Sequence, residues 1–310
     1  MTVRGVRHEA FPQLPGSPQM HHQAATETHL PRTTMNLRHP APIALVLSSL
    51  LSLAACSTTS KAPPTDPASI GEASLHHGLM RGYLPIENLP DSLALLPAPP
   101  QPGTPAFDTD ELAFTSTRVL LDQPRGDLAR SDARLKFPQA TEAFHCAAGI
   151  PLNSDATPHL ETLLRRVMTD SALSTFKAKD HYNRTRPFVY NKQASCTPEE
   201  EASLAKNGSY PSGHAALGWA WGLVLAELMP NRADALFQRA YDYGQSRVVC
   251  GVHWQSDVDA GRLMGAASVA TLHTDPTFLA QMALAKQEIA ALESQGTATP
   301  ANCSTARSGQ

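Results

Sequence analysis

Three short blocks in the C-terminal half of the chain hold the residues best suited to chemistry. The blocks are Lys179 with Arg186-Pro187, then Pro211-Ser212-Gly213-His214, then Ser246-Arg247 with His253 and Asp257. Lys179, Arg186 and Arg247 supply fixed positive charge, and an Arg side chain can hold a tetrahedral dianion through its planar bidentate fork. This set of cations suits a phosphoryl group.

The second block stands at the head of an apolar run, Ala215 to Met229. We expect a helix to begin there, and a helix N-terminus presents unpaired backbone N–H groups and the positive end of the helix dipole. Ser212 can cap this helix or bind the anion. Gly213 allows the backbone to approach a ligand closely, and His214 is placed to protonate a leaving oxygen.

Spacing within the other two blocks indicates helical faces. Lys179 and Arg186 lie seven positions apart, two turns of helix, so we expect both on one face of a helix that Pro187 ends. His253 and Asp257 stand at i and i+4, also adjacent on one face. The carboxylate can then hold one ring nitrogen and turn the other toward phosphorus, as an orienter does for a nucleophile.

Each block also has an ordinary structural interpretation. Lys179 and Arg186 alone could be a solvated helix face, and His214 could be a satisfied helix-terminal histidine. His253 with Asp257 could be a simple i,i+4 pair or half of a metal site. The nearest further metal ligands, His214 and His273, form no recognisable metal motif, so no metal is predicted. The joint occurrence of the three blocks favours the anion site.

The three blocks, in this order, resemble the signature of the type 2 phosphatidic acid phosphatase (PAP2) superfamily. Its most similar soluble members are the bacterial class A nonspecific acid phosphatases. Residues 83–105, which include Tyr83-Leu84-Pro85 and Leu89-Pro90-Asp91-Ser92-Leu93, resemble the entry segment of that class, and Gly208-Ser209-Tyr210 precedes the second block as it does there. We judge the likeness to cover roughly residues 80 to 290, with a motif set that is very specific.

The resemblance implies an all-α, single-domain helical bundle with an extended proline-rich N-terminal arm. It also implies hydrolysis of a broad range of phosphate monoesters through a phosphohistidine intermediate, without metal or other cofactor. In that mechanism His253 attacks phosphorus, Asp257 orients it, and His214 protonates the leaving group. The residues implied to bind the phosphoryl oxygens are Lys179, Arg186, Ser212, Gly213 and Arg247.

Three other functions remain open on the same residues. Vanadium-dependent haloperoxidases resemble the three blocks equally, with vanadate bound to His253, but they are usually larger and residues 83–105 favour the phosphatase. A membrane-embedded lipid phosphatase is disfavoured because no run of 18 apolar residues follows Cys56. The third alternative is a lipoprotein that binds phosphate without turnover. It is disfavoured because such a binder would need no acid, nucleophile or orienter, and the three blocks contain all of them.

The N-terminus predicts export. After Met35 come Arg38 and His39, an apolar stretch to Ala55, and Leu53-Ala54-Ala55-Cys56, which together are typical of a secretory signal ending in a bacterial lipobox. We expect cleavage before Cys56, lipid on that cysteine, and a periplasmic, membrane-anchored protein. A spanning helix is the alternative, but the stretch is shorter than the ~20 residues a bilayer requires. Residues 1–34 match neither signal nor domain, which favours a translation start at Met35.

Four cysteines remain beyond Cys56, and an even number in an exported protein indicates two disulfides. Three pairings are possible. We favour Cys196 with Cys250, because both lie in segments that must converge on the anion site, which leaves Cys146 with Cys303. Buried free thiols are the alternative.

Composition and pattern give the organisation of the chain. Its 310 residues, 42% hydrophobic and 17% charged with net charge −3, suit one domain, and no charge run predicts a nucleic-acid partner. We expect a signal region over 1–55, a flexible tether over 56–78, the phosphatase domain over 79–295 and a tail over 296–310. Similar enzymes include homo-oligomers, so self-association is possible here. Helices are predicted over 109–121, 127–135, 139–146, 157–185, 212–229, 232–245, 255–273 and 276–294.

Overall fold

The computed structural model describes residues 62–74, 76–296 and 303, so the predicted signal peptide and Cys56 lie outside the described residues. The α-helices in these ranges are α1 (Pro67–Ile70), α2 (Ser92–Leu95), α3 (Pro105–Thr117), α4 (Pro124–Asp132), α5 (Gln139–Ala148), α6 (Pro158–Leu173), α7 (Phe176–Tyr182), α8 (Pro187–Tyr190), α9 (Glu201–Leu204), α10 (Gly213–Leu228), α11 (Ala233–Cys250), α12 (Gln255–Leu272) and α13 (Pro276–Ser294). Single turns of 3₁₀-helix cover Ile86–Asn88, Arg118–Leu120, Pro198–Glu200 and Pro230–Arg232, and two short antiparallel strands are β1 (Glu72–Ala73) and β2 (His76–Met80).

Helix α10 lies at the centre of the fold because its sequence is apolar on nearly every face. It packs against α6, α11 and α12. Trp221 is fully buried in this core, and its indole Nε1 donates a hydrogen bond to the carbonyl of Leu164 at 2.8 Å. The all-α, single-domain architecture predicted from the sequence is therefore confirmed.

Two glycines bring α12 against the beginning of α10. A Cβ on Gly261 would lie 2.4 Å from the carbonyl oxygen of Ser212, and one on Gly265 would lie 2.3 Å from that of Ala216. No side chain fits at either position, so the two backbones can approach closely only with glycine there. The consequence is that the N-terminal ends of α10 and α12, which carry the second and third blocks, lie side by side.

The N-terminal arm contains more regular structure than its prolines predict. Part of the range expected to be a tether forms α1 and the β1–β2 hairpin, and residues 83–105 include a 3₁₀ turn and α2. The side chain of Asp91 caps α2 by accepting from the amides of Leu93 and Ala94. Local capping thus produces a helical turn between prolines. Arg166 of α6 donates to the arm's carbonyl at Gly82, at 2.9 Å, and anchors it.

The helix predicted over 157–185 is divided in the structure into α6 and α7. The hydroxyls of Ser174 and Thr175 donate to the carbonyls of Ser171 and Ala172, at 2.8 and 2.6 Å, and so satisfy acceptors that a continuous helix would use. Helix α7 then ends at Tyr182, because Asn183 takes a left-handed conformation with φ of 39°.

Both favoured disulfides are present. Cys196 is bonded to Cys250 with a Cα–Cα distance of 4.5 Å, and Cys146 to Cys303 with 5.1 Å. Two such bonds fit an oxidising compartment. Across the described ranges, none of the helices has the length and apolar character required to cross a bilayer.

Candidate active site

The three blocks converge, although not by the local geometry predicted for them. Lys179 and Arg186 do not share a helix: Lys179 lies on α7, and Arg186 is the N-cap of α8. Pro187 is therefore the first residue of a helix, a position where its missing N–H costs nothing, and the prediction that it ends one is wrong. His253 precedes α12 and Asp257 lies in the first turn of that helix, so they also do not share a helical face.

His253 nevertheless meets Asp257 and is oriented at both ring nitrogens. Its Nδ1 lies 3.4 Å from Asp257 Oδ2, a long contact, and that oxygen also accepts from the amide of Trp254 at 2.9 Å. Its Nε2 lies 3.1 Å from Arg186 Nη1, which can only donate. The network therefore assigns the proton to Nδ1 and leaves the lone pair on Nε2.

Electrostatics keep the His253 ring neutral. Burial lowers its pKa well below the ordinary value, and the nearby cations Arg186, Lys179 and Arg247 lower it further. A neutral ring with a lone pair on Nε2 is the state that a nucleophilic imidazole requires.

His214 is held in a different way. Its Nε2 lies 2.7 Å from the backbone carbonyl of Asp132, and its ring stacks on Tyr243 with centroids 5.1 Å apart. A carbonyl only accepts, so Nε2 carries a proton and Nδ1 is the nitrogen left for proton exchange. Burial and then Arg247 lower the pKa of His214 well below its ordinary value.

The main chain at Asp132 is fixed by that residue's own side chain. The carboxylate is paired with Arg239 and accepts from the hydroxyl of Ser246 at 2.6 Å. Ser246 of the third block thus supports Asp132 rather than facing a ligand. Sequence reasoning missed Asp132 and Tyr243, because a backbone acceptor and a stacked ring have no spacing that marks them.

Arg247 is a buried cation with unused donors. Arg247 is 3% exposed, and its Nε and Nη1 atoms have no hydrogen-bond partner among the residues that the structure describes. Burial lowers the pKa of this guanidinium, but guanidinium groups stay protonated in proteins. Both His214 and His253 experience its positive charge.

Lys179 and Arg186 are more fully engaged with the protein. Lys179 Nζ donates to the carbonyls of Gly208 and Pro211 at 3.1 and 2.8 Å. Of the three N–H donors of the ammonium group, one is left to bind a ligand. Loss of hydration and then Arg186 lower the pKa of Lys179 to about 7. Arg186 donates to the carbonyls of Leu204 and Val252 and to Asn207, and burial lowers its pKa to about 10.

The beginning of α10 completes the site. Ser212 is its N-cap and accepts from the amide of Ala215 at 3.2 Å, as predicted for a capping serine. Its own amide donates to the carbonyl of Asp257 at 2.9 Å, which ties the two helix ends together. A Cβ on Gly213 would meet only Thr175 Oγ1, at an ordinary 3.5 Å.

Sequence reasoning also missed Arg184, which stands two positions before Arg186. Its guanidinium is buried and forms ion pairs with Asp110 at 2.8 Å and with Asp257 at 2.6 Å. Its position between Lys179 and Arg186, as a third cation inside the first block, could have marked it as a site residue. A single arginine in a charged segment, however, resembles ordinary surface charge. Within the described residues, no group of three or more His, Cys, Asp or Glu side chains is arranged to hold a metal ion.

Comparison with known proteins agrees with this geometry. The model of the PAP2 superfamily matches residues 160–279. The non-specific acid phosphatase of Providencia stuartii is 44% identical over 212 residues, which are 68% of this chain and 86% of the relative. The acid phosphatase of Zymomonas mobilis is 42% identical over 199 residues, which are 64% of this chain and 75% of the relative. The non-specific acid phosphatase of Salmonella typhimurium is 42% identical over 195 residues, which are 63% of this chain and 78% of the relative.

A solved structure described as the first bacterial vanadium-dependent iodoperoxidase aligns with a TM-score of 0.44 and 17% identity, over 58% of this chain and 52% of that one. The sequence relatives decide the classification. This chain belongs to the PAP2 superfamily and, within it, to the class A non-specific acid phosphatases.

Proposed function

We propose that this acid phosphatase hydrolyses phosphate monoesters through a phosphohistidine on His253 Nε2, with fixed protein cations in place of a metal. The observation that carries the proposal is Arg247, a buried guanidinium whose Nε and Nη1 donors have no partner within the described part of the chain. Burying such a charge is costly unless an anion compensates it. Arg247 lowers the pKa of both histidines, which supports binding of the anion near both of them in this proposal.

The first chemical step forms the covalent intermediate. The Nε2 lone pair of His253 attacks phosphorus, the bond to the ester oxygen breaks, and His214 Nδ1 gives its proton to that oxygen. The phosphorylated ring retains its Nδ1 proton and is positively charged, so the carboxylate of Asp257, 3.4 Å from Nδ1, stabilises it.

The second step releases phosphate. A water molecule attacks phosphorus from the side vacated by the alcohol, and His214 Nδ1 takes one of its protons. The bond from phosphorus to Nε2 breaks and its electron pair returns to the ring, which restores neutral His253. One histidine therefore acts first as acid and then as base, as a reversible proton carrier must.

The phosphoryl oxygens are bound by charge and by the end of a helix. Arg247 and the remaining proton of Lys179 supply donors, while Arg186 supplies charge and orients Nε2 of the nucleophile. The first amides of α10 and the hydroxyl proton of Ser212 point to the same region in this proposal. Protein packing does not demand glycine at position 213, which supports a role for Gly213 in close approach of the ligand.

Protonation of the acid is coupled to the substrate. Burial and Arg247 lower the pKa of His214, so the unliganded ring holds its second proton less firmly than a free imidazole does. A phosphate ester brings negative charge beside the ring and raises that pKa again. Binding and protonation therefore favour each other at acidic pH.

The test is hydrolysis of p-nitrophenyl phosphate in excess EDTA at acidic pH, with the phosphoenzyme trapped by a denaturing alkaline quench, because the phosphorus–nitrogen bond of phosphohistidine hydrolyses in acid and is stable in base. We expect turnover and trapped phosphate in the unmodified protein and neither in His253→Ala. His273→Ala is the matched control, because His273 pairs with Glu227 on the surface and should leave both signals unchanged. Turnover that survives in His253→Ala would disprove the nucleophile, and turnover abolished by EDTA and restored by a metal would disprove the metal-free mechanism.

We also propose export, with a lipid on Cys56 that holds the protein at a periplasmic membrane surface. The two disulfides support the oxidising compartment. Mass spectrometry of the N-terminal peptide from the membrane fraction should find a lipid-modified Cys56. An unmodified N-terminus upstream of Cys56 would contradict the anchor and leave the phosphatase proposal untouched.

A further inference from the structure

A continuous chain of ions lies behind the nucleophile. Arg184 Nη1 donates to Asp257 Oδ1 at 2.6 Å, and Arg184 Nη2 donates to Asp110 Oδ2 at 2.8 Å. Ser256 links the same groups: its amide and hydroxyl donate to Asp110 at 2.8 and 2.6 Å, and Arg184 Nη1 also contacts its hydroxyl oxygen at 2.7 Å. The chain runs from α3 through the segment before α8 to the first turn of α12.

All three ions are removed from solvent. The side chains of Arg184, Asp110 and Asp257 are 7%, 3% and 0% exposed. Two carboxylates and one guanidinium carry a net charge of −1, in a region where an unpaired charge is expensive. Loss of Arg184 would therefore leave Asp110 and Asp257 buried without the guanidinium that bridges them.

The geometry divides the two oxygens of Asp257. Arg184 occupies Oδ1, whereas Oδ2 accepts from the amide of Trp254 and faces His253 Nδ1. With both oxygens restrained, the carboxylate cannot rotate away from the imidazole.

We propose that Arg184 is a positioning residue of the phosphotransfer step, which holds the carboxylate of Asp257 aimed at His253 through a bridge to Asp110. The inference rests on the proposed phosphohistidine function. Arg184 acts through Asp257 and does not touch the substrate. Its loss should therefore lower the rate of phosphoenzyme formation and leave the binding of phosphate largely unchanged.

Arg184 also has structural contacts, so the test must separate the two roles. Its Nη2 contacts the carbonyl of Pro100 at 3.3 Å, and its guanidinium lies 5.5 Å from the ring centroid of Trp254. A purely structural role would affect binding and folding together with turnover. A positioning role predicts a change confined to kcat.

The experiment is steady-state and quench kinetics of Arg184→Gln and Arg184→Lys. We expect kcat for p-nitrophenyl phosphate to fall roughly 10–100-fold in Arg184→Gln, the size found when the orienting partner of a functional group is removed. KM and the inhibition constant for inorganic phosphate should stay within about threefold, because Arg247 and Lys179 keep their contacts. Arg184→Lys retains the charge but cannot bridge two carboxylates, so it should recover only part of the rate.

A double-mutant cycle with Asp257→Asn decides whether Arg184 acts through Asp257. If it does, adding Arg184→Gln to Asp257→Asn should cost little further rate, whereas multiplicative losses would overturn the inference. Full activity in Arg184→Lys, or parallel losses of kcat and phosphate binding in Arg184→Gln, would overturn it as well.

Matched variants keep the result interpretable. Arg262→Gln removes an arginine that pairs with Asp259 on the outer side of α12 and should leave kcat unchanged. Should Arg184→Gln not fold, Asp110→Asn breaks the bridge at its far end and should lower kcat about 3–10-fold with phosphate inhibition intact. If unmodified protein forms no phosphoenzyme, the proposed function fails; if it forms one and the variants form it equally fast, only this inference fails.

Discussion

The two histidines of the proposed mechanism have opposite kinds of support. In the nucleophile half, defined by His253, Asp257 and Arg184, the ring faces a carboxylate. In the acid half, defined by His214, Asp132 and Arg239, the ring faces a backbone carbonyl. Both halves contain a buried Asp–Arg pair, but only one of them directs its carboxylate at the imidazole.

The difference follows from what each ring must do. A phosphorylated imidazole is a cation for the lifetime of the intermediate, and a carboxylate stabilises that charge. A proton donor must give up its proton, and a carboxylate against it would hold the proton by Coulomb attraction. A neutral carbonyl fixes the orientation of His214 without that cost.

Loss of the carboxylate in the nucleophile half should give the largest effect. Asp257→Asn puts an amide where Nδ1 needs an acceptor, so we expect kcat to fall about 10²–10⁴-fold, as when a histidine loses its orienting carboxylate. Inhibition by inorganic phosphate should persist. The loss should be similar for good and poor leaving groups, because this half does not contact the leaving oxygen; a strong dependence on leaving group would contradict the division into halves.

His214→Ala should instead depend on the leaving group. General acid catalysis contributes about 10²–10⁴-fold when the departing oxygen is basic. We therefore expect losses of about that size for alkyl phosphates and less than about tenfold for 2,4-dinitrophenyl phosphate, whose oxygen departs without a proton. A plot of log kcat against leaving-group pKa would measure this, and equal losses across the series would remove His214 from the role of acid.

Asp132→Asn should reproduce a weaker form of the His214 result. The variant keeps the backbone carbonyl but weakens the pairing that fixes it, with Arg239 and Ser246. We expect losses of about 3–10-fold for alkyl phosphates, smaller ones for aryl phosphates, and a free energy of unfolding lowered by roughly 3 kcal/mol because a buried ion pair is broken. The leaving-group series would test the rate losses, and urea denaturation would test the free energy of unfolding. A loss of rate that is independent of the leaving group would place Asp132 outside the acid half.

The same contrast explains what the sequence could predict. Periodicity placed α13 at its observed bounds and α10 within one residue at each end, since long amphipathic or apolar patterns are dominated by burial. Helix α11 runs past its predicted end at Gln245 to Cys250, so Ser246 and Arg247 of the third block are helical.

The candidate site is predictable to the extent that side-chain types mark it. His253, Asp257, His214 and Arg247 come together as the blocks imply. The carbonyl of Asp132 has no residue signature, and Asp110 lies 74 positions before Arg184, so its pairing is a product of tertiary packing. The left-handed turn at Asn183, which separates Lys179 from Arg186, depends on a single φ angle that helical spacing cannot reveal.

The smallest predicted effect concerns the cations, which also differ between the halves. Arg186, Lys179 and Arg247 lower the pKa of His253, and of these three Arg247 is the cation that lowers the pKa of His214. Loss of hydration and Arg186 lower the pKa of Lys179 to about 7, and Lys179 must be charged to bind the phosphoryl group. The His214 proton is lost at lower pH, because the pKa of His214 is lowered below its ordinary value, so loss of the Lys179 charge should add a second fall in kcat/KM as pH rises through about 7.

Lys179→Arg tests this assignment, because arginine keeps its charge across the whole range. We expect the basic limb of the kcat/KM profile to become shallower above about pH 7, with only a few-fold change at the optimum. The acidic limb should stay in place because it belongs to His253. Ionisation of the substrate is common to both proteins and cancels in the comparison, so identical basic limbs would assign the limb to a group other than Lys179. A shallower limb would mean that the nucleophile half, through one buried ammonium, adds to the loss of activity that deprotonation of His214 causes above the acidic range.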